Sequence, residues 1–155
     1  MKKILVSACL IGENCRYDGN NNLVEAIKAL HEKGEVIPVC PEMLGELLAP
    51  RPACEIVEEA GVRKVIGKDG NDYTTPFKKG AQLTLEEALK NDVSLAILKA
   101  RSPSCGSGKI YDGTFSGKLI DGNGVTAQLL IDNGIKVVTE NETLPSFRPK
   151  GEIPK

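Results

Sequence analysis

Residues 94–100, SLAILKA, carry an unbroken apolar run from Leu95 to Leu98 and lead straight into RSPSCGSGK at residues 101–109. A short continuous apolar run closed by turn residues reads as a strand buried on both faces, as in a parallel sheet. The flanking segments agree. A helix is expected from about Thr75 to Lys90, and NGVTAQLLIDNG (123–134) reads as a second helix before the strand IKVVT (135–139). The same alternation opens the chain. KILVSA (3–8) is a β-rich run, and LVEAIKALHEKG (23–34) sets Leu23, Ile27 and Leu30 at helical spacing with Gly34 as a stop. EVIPVC (35–40) is a further strand, ending at Cys40.

Alternating strands and helices predict an α/β fold: a three-layer, Rossmann-like sandwich with a mostly parallel sheet and right-handed crossovers. Residues 42–48 read as a short helical turn broken by APRP (49–52), and Glu55–Thr75, with KDGND inside, as an irregular excursion or hairpin. LPSFRPKGEIPK makes a proline-rich surface tail from about residue 143. With 155 residues, 41% of them hydrophobic, a single domain over residues 1–155 is expected.

Lys and Arg number 20 against 21 Asp and Glu, a net charge of −1. So even a balance gives no general field for a nucleic-acid backbone or an anionic membrane, and favours small partners. MKKILVSACLIG begins like a secretion signal but is about half the length of one and runs into a Cys-Gly loop. It reads as a first strand, and no apolar run approaches the ~20 residues needed to span a bilayer. A soluble, cytoplasmic protein is expected.

Five cysteines, Cys9, Cys15, Cys40, Cys54 and Cys105, are an odd number in a chain long enough to fold without disulfides. They point to a reducing compartment and to metal or thiol chemistry. No CxxC pair is present, so a metal site must be assembled from distant loops. Cys9, Cys40 and Cys105 each follow a predicted strand, and in open α/β sheets ligands bind at the carboxyl ends of strands. Any one of them taken alone is most often a small buried hydrophobe. Three at one edge suit thiolate ligation of an iron-sulfur cluster or zinc, with one metal position left open. Cys15 is near enough in sequence to supply a fourth ligand, which would close the site into a non-catalytic metal-binding or redox-sensing centre. Cys54 reads equally as packed.

The same loops hold further candidates. Glu42 is an acid or base beside Cys40, or a helix-start carboxylate. Ser102 and Ser104 flank Pro103 as candidate catalytic hydroxyls or as turn formers. Arg16, Arg51, Arg101 and Lys109 are candidate substrate-binding cations that together can hold a phosphate. GSGK is no phosphate-binding Walker loop, because Pro103 stands where its first glycine belongs and Ile110 follows Lys109. His31, the only histidine, lies on the polar side of its helix pattern, so His-based nucleophilic or zinc chemistry has no obvious base.

Three stretches, SACLIGENCRYDG (7–19), PVCPEMLGELLAPRP (38–52) and LKARSPSCGSGKIYDG (98–113), together resemble the signatures of the DUF523 family, which includes the TudS thiouracil desulfidases. The resemblance spans roughly residues 4–140. It implies a [4Fe-4S] cluster held by Cys9, Cys40 and Cys105, with one iron not bound by protein and free to take the sulfur of a thiolated base. It also implies assistance from Glu42 and a serine of SPSC, Ser102 before Ser104. The expected reaction is an oxygen-sensitive, non-redox desulfuration of 4-thiouracil or 4-thiouridine monophosphate with release of sulfide. Cluster-dependent sulfur removal or transfer on another small thiolated metabolite is the alternative. Longer members of the family are thought to act on thiolated RNA. Without a basic stripe this chain is expected to take a small base or nucleotide and no tRNA, while its oligomeric state is left open.

Overall fold

The computed structural model describes residues 3–143, and the proline-rich tail lies outside the described residues. The chain runs β1 (Ile4–Ser7), a 3-10 turn (Ala8–Ile11), α1 (Glu25–Glu32), β2 (Val36–Val39), α2 (Pro41–Leu44), then the strands β3 (Cys54–Glu59) and β4 (Val62–Gly67). It continues through α3 (Thr74–Lys90), β5 (Leu95–Leu98), β6 (Lys109–Tyr111), β7 (Leu119–Asp121), α4 (Val125–Asp132), β8 (Lys136–Thr139) and α5 (Glu140–Thr143).

Four strands make a parallel sheet in the order β2-β1-β5-β8. Side chains alternate across it, as a strand's period of two requires. Leu5, Ala96 and Leu98 pack with Leu85 and Ala88 of α3 and Ala127 and Leu130 of α4. Val6 and Ile97 point the other way, onto Ile27 and Leu30 of α1. These are the three layers of the expected α/β sandwich. Pro38, which has no N–H for a ladder, sits on β2 at the sheet edge, where only one side is paired.

The first helix is shorter than its apolar spacing suggested: Leu23 precedes it and stays exposed, its N–H bonded to Asn21 Oδ1. Gly34 does end the turn, with φ +77° and its N–H on the His31 carbonyl. The stretch from Glu55 to Thr75 is a regular antiparallel hairpin, β3 on β4 from Cys54↔Gly67 to Glu59↔Val62, and α3 follows it at Thr74. A second hairpin, β6–β7, was not anticipated. Its strands have three residues each and β7 is exposed throughout, so no apolar alternation marks it.

Two glycines set the position of α2. A Cβ on Gly80 of α3 would lie 1.8 Å from the Pro41 carbonyl oxygen, and one on Gly45 would lie 2.1 Å from that of Pro76. Backbone therefore packs on backbone, and the Cys40–Glu42 turn is pressed against α3.

Candidate active site

The crossover from β1 leads to β2 on one side and that from β5 to β8 on the other, so β1 and β5 flank the point where strand order reverses. There the carboxyl ends of β1, β2 and β5 open on a cavity of about 530 Å³. This is the crevice in which open α/β sheets bind ligands. Cys9 follows β1 in the 3-10 turn, Cys40 ends β2 and precedes α2, and Cys105 lies in the loop after β5. All three line the cavity, as do Cys15 and Cys54, and all five cysteines are free thiols.

The Cys105 loop is fixed from two directions. Ser102 Oγ accepts the N–H groups of Ser104 and Cys105, both at 3.0 Å, which fills its lone pairs and leaves its own hydrogen to donate. On the far side, the N–H groups of Gly124, Val125 and Thr126 at the start of α4 donate to the carbonyls of Gly106, Pro103 and Ser104. The loop thus caps the helix that supports it. Ser102 faces the cavity, whereas Ser104 is buried behind it with its hydroxyl 2.7 Å from Thr126 Oγ1.

Glu42 and Arg51 form a nearly buried pair: Arg51 Nη2 stands 3.7 Å from Glu42 Oε2, with side-chain exposures of 8% and 15%. Arg51 also donates from Nη2 to the Cys15 carbonyl at 2.9 Å and from its backbone N–H to the Tyr17 carbonyl, while Nη1 is buried without a hydrogen-bond partner. It therefore ties the Cys9–Tyr17 loop to the Cys40–Glu42 turn. Burial raises the Glu42 carboxyl, and the Arg51 charge partly opposes this.

Thiol electrostatics divide the cysteines. Burial pushes Cys105 well above the ordinary thiol range, the negative charge of Glu42 adds to this, and a hydrogen bond from Ser7 opposes it. Cys15 is raised by its hydrogen bonds to Cys40 and Cys9 and by burial. The same bonds lower Cys9 and Cys40. Asn22 adds a donor to the Cys9 sulfur, Nδ2 to Sγ at 3.4 Å. Burial takes Cys54 to about 12.

The cations separate as well. Arg16 and Arg101 line the cavity, Arg16 being already bonded to Asp18 and Asn22. Lys109 does not line it; on β6 it pairs with Asp121 at 2.5 Å. His31 does not line it either. Two cations that sequence reasoning missed do: Lys68, just past β4, and Lys99, at the end of β5. Lys99 Nζ lies 3.2 Å from Glu140 Oε2, and Glu140 Oε1 accepts the Ala100 N–H at 2.8 Å. A lysine directly after a buried strand was a readable signal for Lys99; none marked Asn22 or Lys68. The hairpins add Tyr111, Phe115 and Glu55 to the wall.

Among the described residues, no three His, Cys, Asp or Glu side chains converge as a single metal ion requires. An iron-sulfur cluster makes a different demand, since each thiolate takes its own iron and the ligands stand apart around a bulky body. Three thiols from three strand ends, facing one cavity and free of disulfides, fit that demand. No helix among the described residues is long and apolar enough to cross a membrane.

The fold has a counterpart among solved structures. A chain described as the [4Fe-4S]-dependent thiouracil desulfidase TudS (DUF523Vcz) superposes with a TM-score of 0.84 at 40% identity, over 92% of this chain and 93% of that one. YbbK of Bacillus subtilis (strain 168), itself described as uncharacterized, is 45% identical over 145 residues, 90% of this chain and 96% of that protein. The family model for 2-thiouracil desulfurase matches residues 4–142, taking in the sheet, both hairpins and every wall of the cavity, and the chain belongs to that family.

Proposed function

We propose that this protein is a [4Fe-4S]-dependent desulfidase that converts a thiolated pyrimidine, 4-thiouracil or 4-thiouridine monophosphate, to its oxo form. The observation that carries this reading is the opening of Cys9, Cys40 and Cys105 onto one cavity beside the Glu42–Arg51 pair. The net reaction is a hydrolysis: water oxygen replaces sulfur at the ring carbon and sulfur leaves as hydrogen sulfide, with no net electron transfer. Held by those three thiolates with one iron free of protein, the cluster supplies a Lewis acid for the thiocarbonyl sulfur.

The protein's own side chains do the rest. Arg51 holds Glu42 in place, and Glu42 removes a proton from the attacking water or returns one to the ring. Ser102, its lone pairs filled by two backbone N–H groups, donates its hydrogen to the base. The rings of Tyr17, Tyr111 and Phe115 give the pyrimidine flat surfaces to lie against. Arg16 and Arg101 reach a phosphate when the substrate is a nucleotide. The chain acts as one domain on a small base or nucleotide, with no need of tRNA, in a reducing, cytoplasmic setting that keeps its five cysteines out of disulfides.

The test is anaerobic cluster reconstitution followed by the near-ultraviolet thiocarbonyl band of each substrate. Loss of the band, with stoichiometric sulfide and only from cluster-loaded protein, is the expected result. An unchanged band despite full iron and sulfide loading would overturn the assignment and direct attention to other thiolated metabolites.

A further inference from the structure

Five thiols share the cavity, and the reaction proposed above uses three of them. Of the remaining two, Cys54 stands apart, its thiol donating to the Pro52 carbonyl at 3.6 Å. Cys15 is placed differently. It is only 5% exposed and packs in one buried cluster with Cys9 and Cys40. Cys40 Sγ lies 3.7 Å from the Cys15 carbonyl oxygen, the same oxygen that Arg51 anchors at 2.9 Å. A turn pinned by a nearly buried arginine thus keeps Cys15 against Cys40, a residue from another loop. Cys40, like Cys54, is half-buried, whereas Cys9, Cys15 and Cys105 are buried, so of the three strand-end thiols Cys40 is the one most open to a small oxidant in the cavity.

We propose that, in protein lacking its cluster, Cys15 is the resolving thiol of a peroxide-driven Cys15–Cys40 disulfide, which shields Cys40 from irreversible oxidation and blocks cluster assembly until a thiol reduces it. The chemistry balances with hydrogen peroxide as the oxidant. The Cys40 sulfur takes one peroxide oxygen to become a sulfenic acid, and the other oxygen leaves as water. The Cys15 sulfur then attacks the sulfenic sulfur and expels the hydroxyl as a second water, leaving the disulfide. A dithiol reverses the bond by exchange, so both cysteines return to the thiol state. Without a neighbouring thiol, the sulfenic acid proceeds to sulfinic and sulfonic acids, which a dithiol does not reduce. Only the effect on assembly rests on Cys40 being a cluster ligand; the disulfide does not.

The experiment treats cluster-free protein with one equivalent of hydrogen peroxide, blocks remaining thiols by alkylation, and maps the cysteines by mass spectrometry. The expected product is a Cys15–Cys40 disulfide with Cys54 alkylated. In parallel, wild type, C15S and C15A are treated with a several-fold excess of hydrogen peroxide, enough to carry an unresolved sulfenic acid to the sulfinic and sulfonic levels, then reduced with dithiothreitol and reconstituted, and their iron and acid-labile sulfide are measured. Wild type is expected to load as fully as untreated protein, and both variants to load several-fold less, with Cys40 recovered as a sulfinic or sulfonic acid. A different cysteine pairing in wild type, or variants that recover as wild type does, would overturn the proposal. Unoxidised C40A separates the two readings: full cluster loading there would remove Cys40 from the ligand set and leave the disulfide map standing.

Discussion

The cavity has two walls, and they are built by different parts of the molecule. One is the edge of the parallel sheet, where Cys9, Cys40 and Cys105 are held by buried strands, by the close packing of α2 on α3, and by α4 bonded into the Cys105 loop. The other comes from the two hairpins, each a sheet of only two strands. The hairpins pack Ile56, Val65 and Ile110 together against Phe77 of α3, and Glu55 ties the first hairpin to the turn of the second, its Oε1 accepting the N–H groups of Gly113 at 2.9 Å and Phe115 at 3.0 Å. Two-stranded ribbons are marginal alone and open more readily than a packed core. On the function proposed above, the atoms that need fixed geometry sit on the rigid wall, and Tyr111 and Phe115, offered to the base, sit on the adaptable one.

The largest break in this contrast is C105A against C54A. Cys105 belongs to the sheet wall and Cys54 to the hairpin wall, yet both are cysteines facing the same space. C105A is expected to lose reconstitutable cluster and all measurable turnover, while C54A keeps its iron and sulfide content. Iron analysis of both variants after anaerobic reconstitution decides it. Equal loss in the two would mean that thiol placement does not follow the walls.

The two serines sharpen the contrast within the rigid wall. Ser102 faces the cavity and Ser104 faces Thr126. S102A is expected to lower kcat by about 100-fold, the range of a lost proton-handling group, with the cluster retained. S104A removes one buried hydroxyl pair, at about 1 kcal/mol of stability, and leaves kcat close to wild type. Single-turnover kinetics alongside urea denaturation tells the two apart, and a larger kinetic defect in S104A would reverse the assignment.

The same division explains what the sequence could and could not disclose. Strands and helices that bury a face leave a periodic apolar trace, so SLAILKA, IKVVT and the helix over 74–90 were legible, and with them the three strand-end cysteines. The hairpin wall leaves little such trace. Glu55 does its work through two backbone N–H groups some sixty residues away, and β7 is exposed along its whole length. Whether Ser102 or Ser104 faces the cavity is fixed by how α4 docks on their loop, a tertiary fact with no local pattern. Arg51 looked like one more loop cation, and only the packing shows it buried between Glu42 and the Cys15 carbonyl.

E55A tests the adaptable wall directly. Losing both acceptor bonds frees the segment that carries Phe115, at roughly 1–2 kcal/mol of stability for the hydrogen bonds involved. Because Cys9, Cys40 and Cys105 lie on the other wall, cluster loading and kcat should hold while KM rises several-fold. A fall in kcat or iron content with KM unchanged would show that the two walls are mechanically coupled.

The smallest expected effect concerns the cations. Lys109 and Asp121 join β6 to β7 on the exterior of the second hairpin, off the cavity, and the pair is largely exposed at 60% and 89%. Arg101 opens on the cavity, and among the described residues its side chain has no hydrogen bond or ion pair. The two differ, then, in whether a substrate phosphate can reach them. R101A is expected to raise KM for 4-thiouridine monophosphate and leave KM for 4-thiouracil unchanged, since only the nucleotide carries the anion. K109A should change neither, and K109E, which reverses the charge on the outer face, should change the nucleotide KM only slightly and in a salt-sensitive way, as screened long-range electrostatics do. If K109A matched R101A in selectively weakening the nucleotide, the phosphate would have to pass over the outer face of the second hairpin, and the division between a chemical wall and a recognition wall would extend beyond the cavity itself.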